Sequence, residues 1–182
     1  MLANYDAEAV AEVMGLAFVR LPKDSRTPRA RSAFIDVGDA VLLIVGASSR
    51  AKGRRVSPPS SVFIEKAVES GLPRQALEHV AEAIAGGDKA KASALERGVV
   101  PRTTLERRAT RLSRPESERT ERVARLFVQA RRALGSEVEA REFMTTAHPE
   151  LDERSPFEAS RTDLGARRVE QILNALEYGL AI

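Results

Sequence analysis

Cysteine and tryptophan are both missing from the 182 residues, and aromatic residues of all kinds make up only 4%. Without cysteine the chain has no disulfide and no thiolate metal site. So few aromatics favour small-residue helical packing over the strand-rich core of a β-sandwich. No run reaches the ~18 apolar residues of a membrane span. The opening MLANYDAEAV also lacks the basic and apolar regions of a signal peptide. The expectation is a soluble cytoplasmic protein with no membrane partner.

Catalytic patterns are missing too. Gly46-Ala47-Ser48-Ser49 follows an apolar run but lacks the further glycines and the Lys-Ser/Thr of a phosphate loop. There is no G-x-S-x-G, no Ser-His-Asp grouping in a recognisable context and no nucleotide fingerprint. Histidine occurs only at 79 and 148. His79 has Glu78 beside it and Glu82 one turn on, but a metal needs three or four convergent ligands, so a solvated helix-face histidine is expected. His148 precedes Pro149, where a turn role suffices. The chain is read as no enzyme, with no catalytic residues, cofactor or metal.

What remains is 43% apolar and 30% charged, enough to build a core in one ordinary domain or two small ones. The net charge of +3 hides an asymmetry. Lys89 to Arg132 holds 13 Lys and Arg against 5 Glu, whereas Ser136 to Ile182 holds 5 Arg against 10 Asp and Glu. A basic middle before an acidic end suggests two surfaces with different partners.

Helical spacing runs through most of the chain. Ala3 to Leu16 has apolar residues at Val10, Val13 and Met14, with Asp6 as a cap. Leu21 to Arg31 reads as a Pro- and charge-rich loop. The apolar run at 41–45 is the one segment where periodicity cannot separate strand from buried helix. Arg50 to Pro59 is a basic connector. Ser60 or Ser61 opens a helix closed by Gly71, and Pro73 opens another ended by Gly86-Gly87. Asp88 caps a short helix, Arg97 to Pro101 turns the chain, and Thr103 to Leu112 forms the next helix with Leu105, Ala109 and Leu112 inward. Helix, turn, helix is a DNA-binding outline. Lys89, Lys91, Arg102, Arg107, Arg108 and Arg111 supply cations for phosphates, and Arg102, Thr103 and Glu106 or Arg107 would meet base edges.

Ser113 and Glu116 have the spacing of a capping box ahead of a long helix through Val123, Leu126, Phe127, Ala130 and Leu134. A shorter helix follows through Val138, Phe143 and Met144. Thr162 then caps the last helix, with Leu164, Val169, Ile172, Leu173 and Leu176 read as its buried face. Beyond Gly179 come Leu180 and Ile182, apolar residues that need a core or a partner to cover them.

From Leu112 onward the order becomes specific: L-S-x-x-E-S-E-R, then A-R-x-x-x-x-A at Ala124 to Ala130, Leu134-Gly135, Pro149-x-Leu151, Ser155-Pro156-Phe157, Arg161-Thr162-x-x-Gly165-Ala166 and Glu177-Tyr178-Gly179. This resembles the Xre/MbcA/ParS antitoxins of RES-Xre toxin–antitoxin systems. Gly71-Leu72-Pro73, and Val99-Val100-Pro101 before Thr104-Leu105, resemble the family's Xre-like helix-turn-helix. The resemblance implies an all-α fold: an N-terminal extension with one or two helices (1–56), a helix-turn-helix domain (57–112) and a helical toxin-binding domain (113–182). It implies a homodimer that neutralises a RES-domain, NAD-consuming toxin by covering its active-site entrance. It also implies binding to operator DNA and repression of its own operon. The toxin-facing residues it implies are Arg167, Arg168, Tyr178, Gly179, Leu180, Ala181 and Ile182.

Overall fold

The computed structural model describes residues 5–22, 32–37, 40–46, 60–107 and 110–179. Its first element is α1 (Ala7–Val13), shorter than the expected Ala3 to Leu16, with the Asp6 carboxylate accepting from the Ala9 N–H at 3.0 Å. Val10, Val13 and Met14 are buried, as their spacing predicts. Gly15 then reverses the chain at φ +60, and a Cβ there would sit 2.4 Å from the His79 ring. His79 is therefore half-buried packing, which corrects the reading of a solvated face.

The N-terminal region departs most from expectation. A three-stranded antiparallel sheet, in the order β1-β3-β2, is built from β1 (Leu16–Pro22), β2 (Ser32–Val37) and β3 (Ala40–Gly46). Leu16 pairs with Gly46, Pro22 with Ala40, and Ser32 with Val45. The 41–45 run is thus one strand among three, and Leu21 and Pro22 belong to β1, where a loop was read. Pro22 is tolerated because β1 is an edge strand, where a missing N–H need not break a ladder. Phe18 on β1 is 1% exposed, so the sheet anchors its first strand in the shared core.

From residue 60 the described chain is helical, as expected. The elements are α2 (Ser61–Ser70), α3 (Arg74–Ala85), α4 (Lys89–Val99), α5 (Arg102–Arg107), α6 (Arg114–Leu134), α7 (Glu137–Thr145), a single 3-10 turn (Pro149–Leu151), α8 (Pro156–Ala159) and α9 (Asp163–Tyr178). The expected caps are present. Asp88 accepts from the Ala90 and Lys91 N–H groups, Glu116 reaches back to the Ser113 N–H at 2.6 Å, and Thr162 accepts from Gly165. His148 takes its turn role, its Nδ1 accepting from the Glu150 N–H.

The helix predicted over Thr103 to Leu112 does not reach Leu112. Arg111 bridges Pro73, the Leu112 N–H donates to the Leu72 carbonyl, and the Arg74 N–H donates to Thr110. These bonds satisfy backbone groups in an extended crossing that a continued helix would forbid. Leu105 and Leu112 are still buried, and Ala109 lies outside the described residues.

One core joins α1, the start of β1 and the helices from α2 to α9. Leu126, Phe127, Ala130, Met144, Leu151, Val169 and Leu173 have 0% exposure, and each large apolar side chain removed from water contributes about 1.5–3 kcal/mol. Two glycines permit the closest approaches. A Cβ on Gly165 would lie 2.0 Å from the Ala159 carbonyl oxygen, so α9 can start against α8 only without a side chain there. On Gly98 it would meet the Phe157 ring at 2.7 Å, so glycine near the end of α4 lets α8 dock.

Candidate functional site

The helix pair α4 and α5, joined by a turn at Val100 and Pro101, carries the first set of candidate residues. Lys89 opens α4, and Lys91 donates from Nζ to the Thr145 hydroxyl at 3.1 Å, tying α4 to α7. Both lie at the far end of α4 from α5, about 16 Å away along an 11-residue helix. They do not form one patch with Arg102. Arg102 and Thr103 are exposed at the start of α5, and Arg102 Nε donates to Glu106 at 2.8 Å in a solvated pair. Arg111 donates from Nε and Nη2 to the Gly71 carbonyl at 3.2 and 2.9 Å, and so secures the crossing after α5. The Arg107 side chain and Arg108 lie outside the described residues.

The second set sits on α9. Val169, Ile172 and Leu173 are buried as expected, but Leu164 is 75% and Leu176 43% exposed, so neither belongs to the folding face. At 100° per residue Leu164 lies about 140° round the helix from the centre of the buried face. Leu176 points inward, but in the last turn, beyond the cover of the core. Arg167 and Arg168 are exposed, and Arg168 bonds Asp152 at 3.0 Å. Tyr178 is exposed, and Gly179 ends the helix in the left-handed conformation at φ +62. Leu180, Ala181 and Ile182 lie outside the described residues.

Between α6 and α9, charged and polar side chains pair across the two helices. Arg122 bonds Asp163, Arg125 bonds Glu170, Gln129 donates to Asn174 at 2.9 Å, and Arg132 donates to Glu177 at 2.7 Å. Partner numbers rise together along both helices, so α6 and α9 run side by side in the same direction. Arg122, Arg125, Arg131 and Arg132 of the basic middle are thus paired with carboxylates of the acidic end, while Arg102 stays at the surface.

The ladder has a branch that reasoning from the sequence missed. The Tyr5 hydroxyl donates to Glu121 at 2.9 Å, and Glu121 lies 3.4 Å from Arg125. Burial raises the Glu121 carboxyl above its ordinary range, with Arg125 and the Tyr5 hydrogen bond only partly offsetting it. Burial, then the Glu121 charge, pushes the Tyr5 hydroxyl far up, so it remains a donor. Burial alone would lower the Arg125 pKa, but Glu121 and Glu170 outweigh it and the net direction is upward. The only trace in the sequence was the three-to-four spacing of Glu121, Arg122 and Arg125. Beside the network lies an open cleft of about 690 Å³ between α2, α6 and α9, with Arg167 on its rim.

Two family models match along the chain. Residues 64–125 match the antitoxin Xre-like helix-turn-helix domain, and residues 129–179 match the antitoxin Xre/MbcA/ParS C-terminal toxin-binding domain. The chain belongs to the Xre/MbcA/ParS antitoxins. Its α4–α5 unit lies within the helix-turn-helix match, and α9 within the toxin-binding match. Together they imply a toxin partner and DNA binding. No curated protein matches the chain. Among the described residues no group of side chains gathers as metal ligands, and no helix is long and apolar enough to cross a membrane.

Proposed function

We propose that this antitoxin neutralises a RES-domain, NAD-consuming toxin by laying the end of α9 and Tyr178 to Ile182 over the toxin's active-site entrance. The observation that carries the reading is the uncovered apolar last turn. Leu176 and Tyr178 are exposed beside the αL stop at Gly179, while the rest of the inward face of α9 is closed. Arg167 and Arg168, exposed earlier on the same helix, flank the contact. The toxin supplies the NAD chemistry, so these residues bind and exclude substrate and transfer nothing. The domains follow the boundaries read from the sequence: an extension over 1–56, a helix-turn-helix over 57–112 and a toxin-binding region over 113–182. We further propose a homodimer that represses its own operon, with Arg102, Thr103 and Arg107 at the bases and Arg108 near a phosphate.

Co-expression with the adjacent gene and a growth-rescue assay test this. Deleting Tyr178 to Ile182 is expected to leave the fold intact by circular dichroism and to abolish rescue. Full rescue by the truncated chain would sink the occlusion mechanism, and an adjacent gene with no RES toxin would sink the choice of target.

A second reading, a stand-alone helix-turn-helix repressor, is favoured by the exposure of Arg102 and Thr103 on α5. It predicts that Arg102→Ala weakens operator binding while toxin rescue, if any, is unchanged. Operator affinity would fall steeply with salt as phosphate contacts release counterions.

A further inference from the structure

Six arginines lie on α6, and five of them end on carboxylates: Arg114 on Glu118, Arg122 on Asp163, Arg125 on Glu121 and Glu170, Arg131 on Glu137, and Arg132 on Glu177. Arg119 is the sixth. It is exposed and forms no ion pair or side-chain hydrogen bond among the described residues. It lines a cleft of about 340 Å³ together with Arg97, from the last turn of α4, and Arg161, from the corner between α8 and α9. Neither of those forms an ion pair among the described residues either. Glu158, whose carboxyl feels Arg161, keeps its oxygen on the Ser155 N–H and hydroxyl; Glu96, beside Arg97, does not bond it.

Three solvated surface arginines would need no explanation if they were dispersed. Arg97 alone is accounted for by the carbonyl end of α4, where a cation is favoured. Convergence on one hollow is different, because like charges repel and an anion between them relieves the repulsion. The hollow is also shaped. Its wall includes Gly98, where a Cβ would lie 3.7 Å from Arg161 Nη2 and inside contact of the Phe157 ring. Glycine within a helix costs about 1 kcal/mol relative to alanine, and here it lets the Phe157 ring of α8 close on α4, which sets the wall of the hollow beside Arg161. The other side of the hollow is Val99 and Pro101, which lead directly into the exposed Arg102 and Thr103 of α5.

We propose that this cleft is a phosphate site. The planar forks of Arg97, Arg119 and Arg161 suit the oxygens of one phosphate, which each can bond bidentately. Two sources carry that chemistry: the backbone of duplex DNA passing the start of α5, or a free nucleotide. Only the first rests on the DNA-facing part of the proposed function. Arg97 and Arg119 fall in the helix-turn-helix match and Arg161 in the toxin-binding match, so a bound phosphate would bridge the two.

The test uses the full chain, a labelled duplex of its own upstream sequence, and ADP. The double variant Arg119→Gln/Arg161→Gln should lose at least ~10-fold in affinity for whichever probe the wild type binds. For the duplex, the slope of log affinity against log salt should shrink by about 1 per arginine removed. Lys66→Gln, which removes one charge on α2 away from the cleft, should alter either affinity less than about 2-fold. Loss for the duplex alone assigns the phosphate to DNA, and loss for ADP alone assigns it to a nucleotide. Wild-type binding by the double variant, or no binding of either probe by the wild type, overturns the site. If the double variant melts early, wild-type protein supplies the second measurement. Duplex or ADP should protect Arg97, Arg119 and Arg161 from phenylglyoxal, and absence of protection overturns the proposal. Growth rescue run alongside separates the readings, because a wild type that binds phosphate but fails to rescue counts against toxin neutralisation only.

Discussion

On α6, the side chains of Arg122 and Arg125 are 14% and 29% exposed and end on carboxylates of a different helix, more than forty residues on in sequence. On α5, the Arg102 side chain is 76% exposed and ends on Glu106, one turn along its own helix. All three belong to the same basic stretch. The first two hold α9 in register, and their charge is spent inside the molecule. Arg102 can exchange its local partner for a phosphate or a base edge at little cost, since such exposed pairs are worth under about 1 kcal/mol. A block of sequence charge therefore says little about a surface until the partner of each cation is known. The fold divides the basic stretch into a seam and a surface.

The apolar floor of that seam gives the largest expected effect. Leu173 has no exposure, and Leu173→Ala should destabilise the chain by about 2–5 kcal/mol, because the packed helices cannot collapse fully into the void. Leu164→Ala, on the outward side of the same helix, should change stability by no more than about 0.5 kcal/mol. Urea unfolding of both variants decides it. Comparable losses would mean that Leu164 is covered in the native protein, by a second copy for instance, and the outward face of α9 would have to be redrawn.

The cations come next. Arg125→Ala leaves Glu121 and Glu170 half-buried without their shared partner, a loss of about 2–4 kcal/mol. Arg102→Ala should stay within about 0.5 kcal/mol. A double-mutant cycle between Arg125 and Glu170 should show coupling near 1 kcal/mol or more, and the cycle between Arg102 and Glu106 much less. Equal couplings would erase the distinction between seam and surface.

Much of this was legible from the residues. The caps at Asp6, Asp88, Ser113 and Thr162, and the stops at Gly86 and Gly179, set most helix boundaries, because capping is local chemistry. The sheet was missed although FIDV-GD-AVLLIV holds a turn-type pair, Gly38-Asp39, between two β-rich runs. Its first strand, LAFVRLP, carries no alternation to mark it. Periodicity also overextended α5, whose end is set by pairing with Leu72 and Pro73 some forty residues earlier. Of the candidate sites, Arg102, Thr103 and Tyr178 are exposed. The internal bonds of Lys91 and Arg111 could not be foreseen, since they depend on which turn meets which helix.

The smallest effect separates the two regions by pH. Glu121, at the seam, has its carboxyl pKa raised, chiefly by burial. A raised folded pKa adds stability at acidic pH that is lost as pH rises through the folded value. Glu158, exposed in the α8 cap, has its pKa lowered by the Ser155 N–H bond first and the Ser155 hydroxyl second. Its contribution is present above the ordinary carboxylate range and is lost as pH falls through the lowered value. Stability measured from pH 3 to 8 should therefore decline less steeply above the carboxylate range in Glu121→Gln than in the wild type. Glu158→Gln should instead blunt the gain on leaving acid. If Glu121→Gln made the decline steeper, Arg125 and not burial would govern that carboxyl. The ladder would then be a source of stability at neutral pH, where the present balance makes its ion pairs chiefly a means of fixing the register of α9.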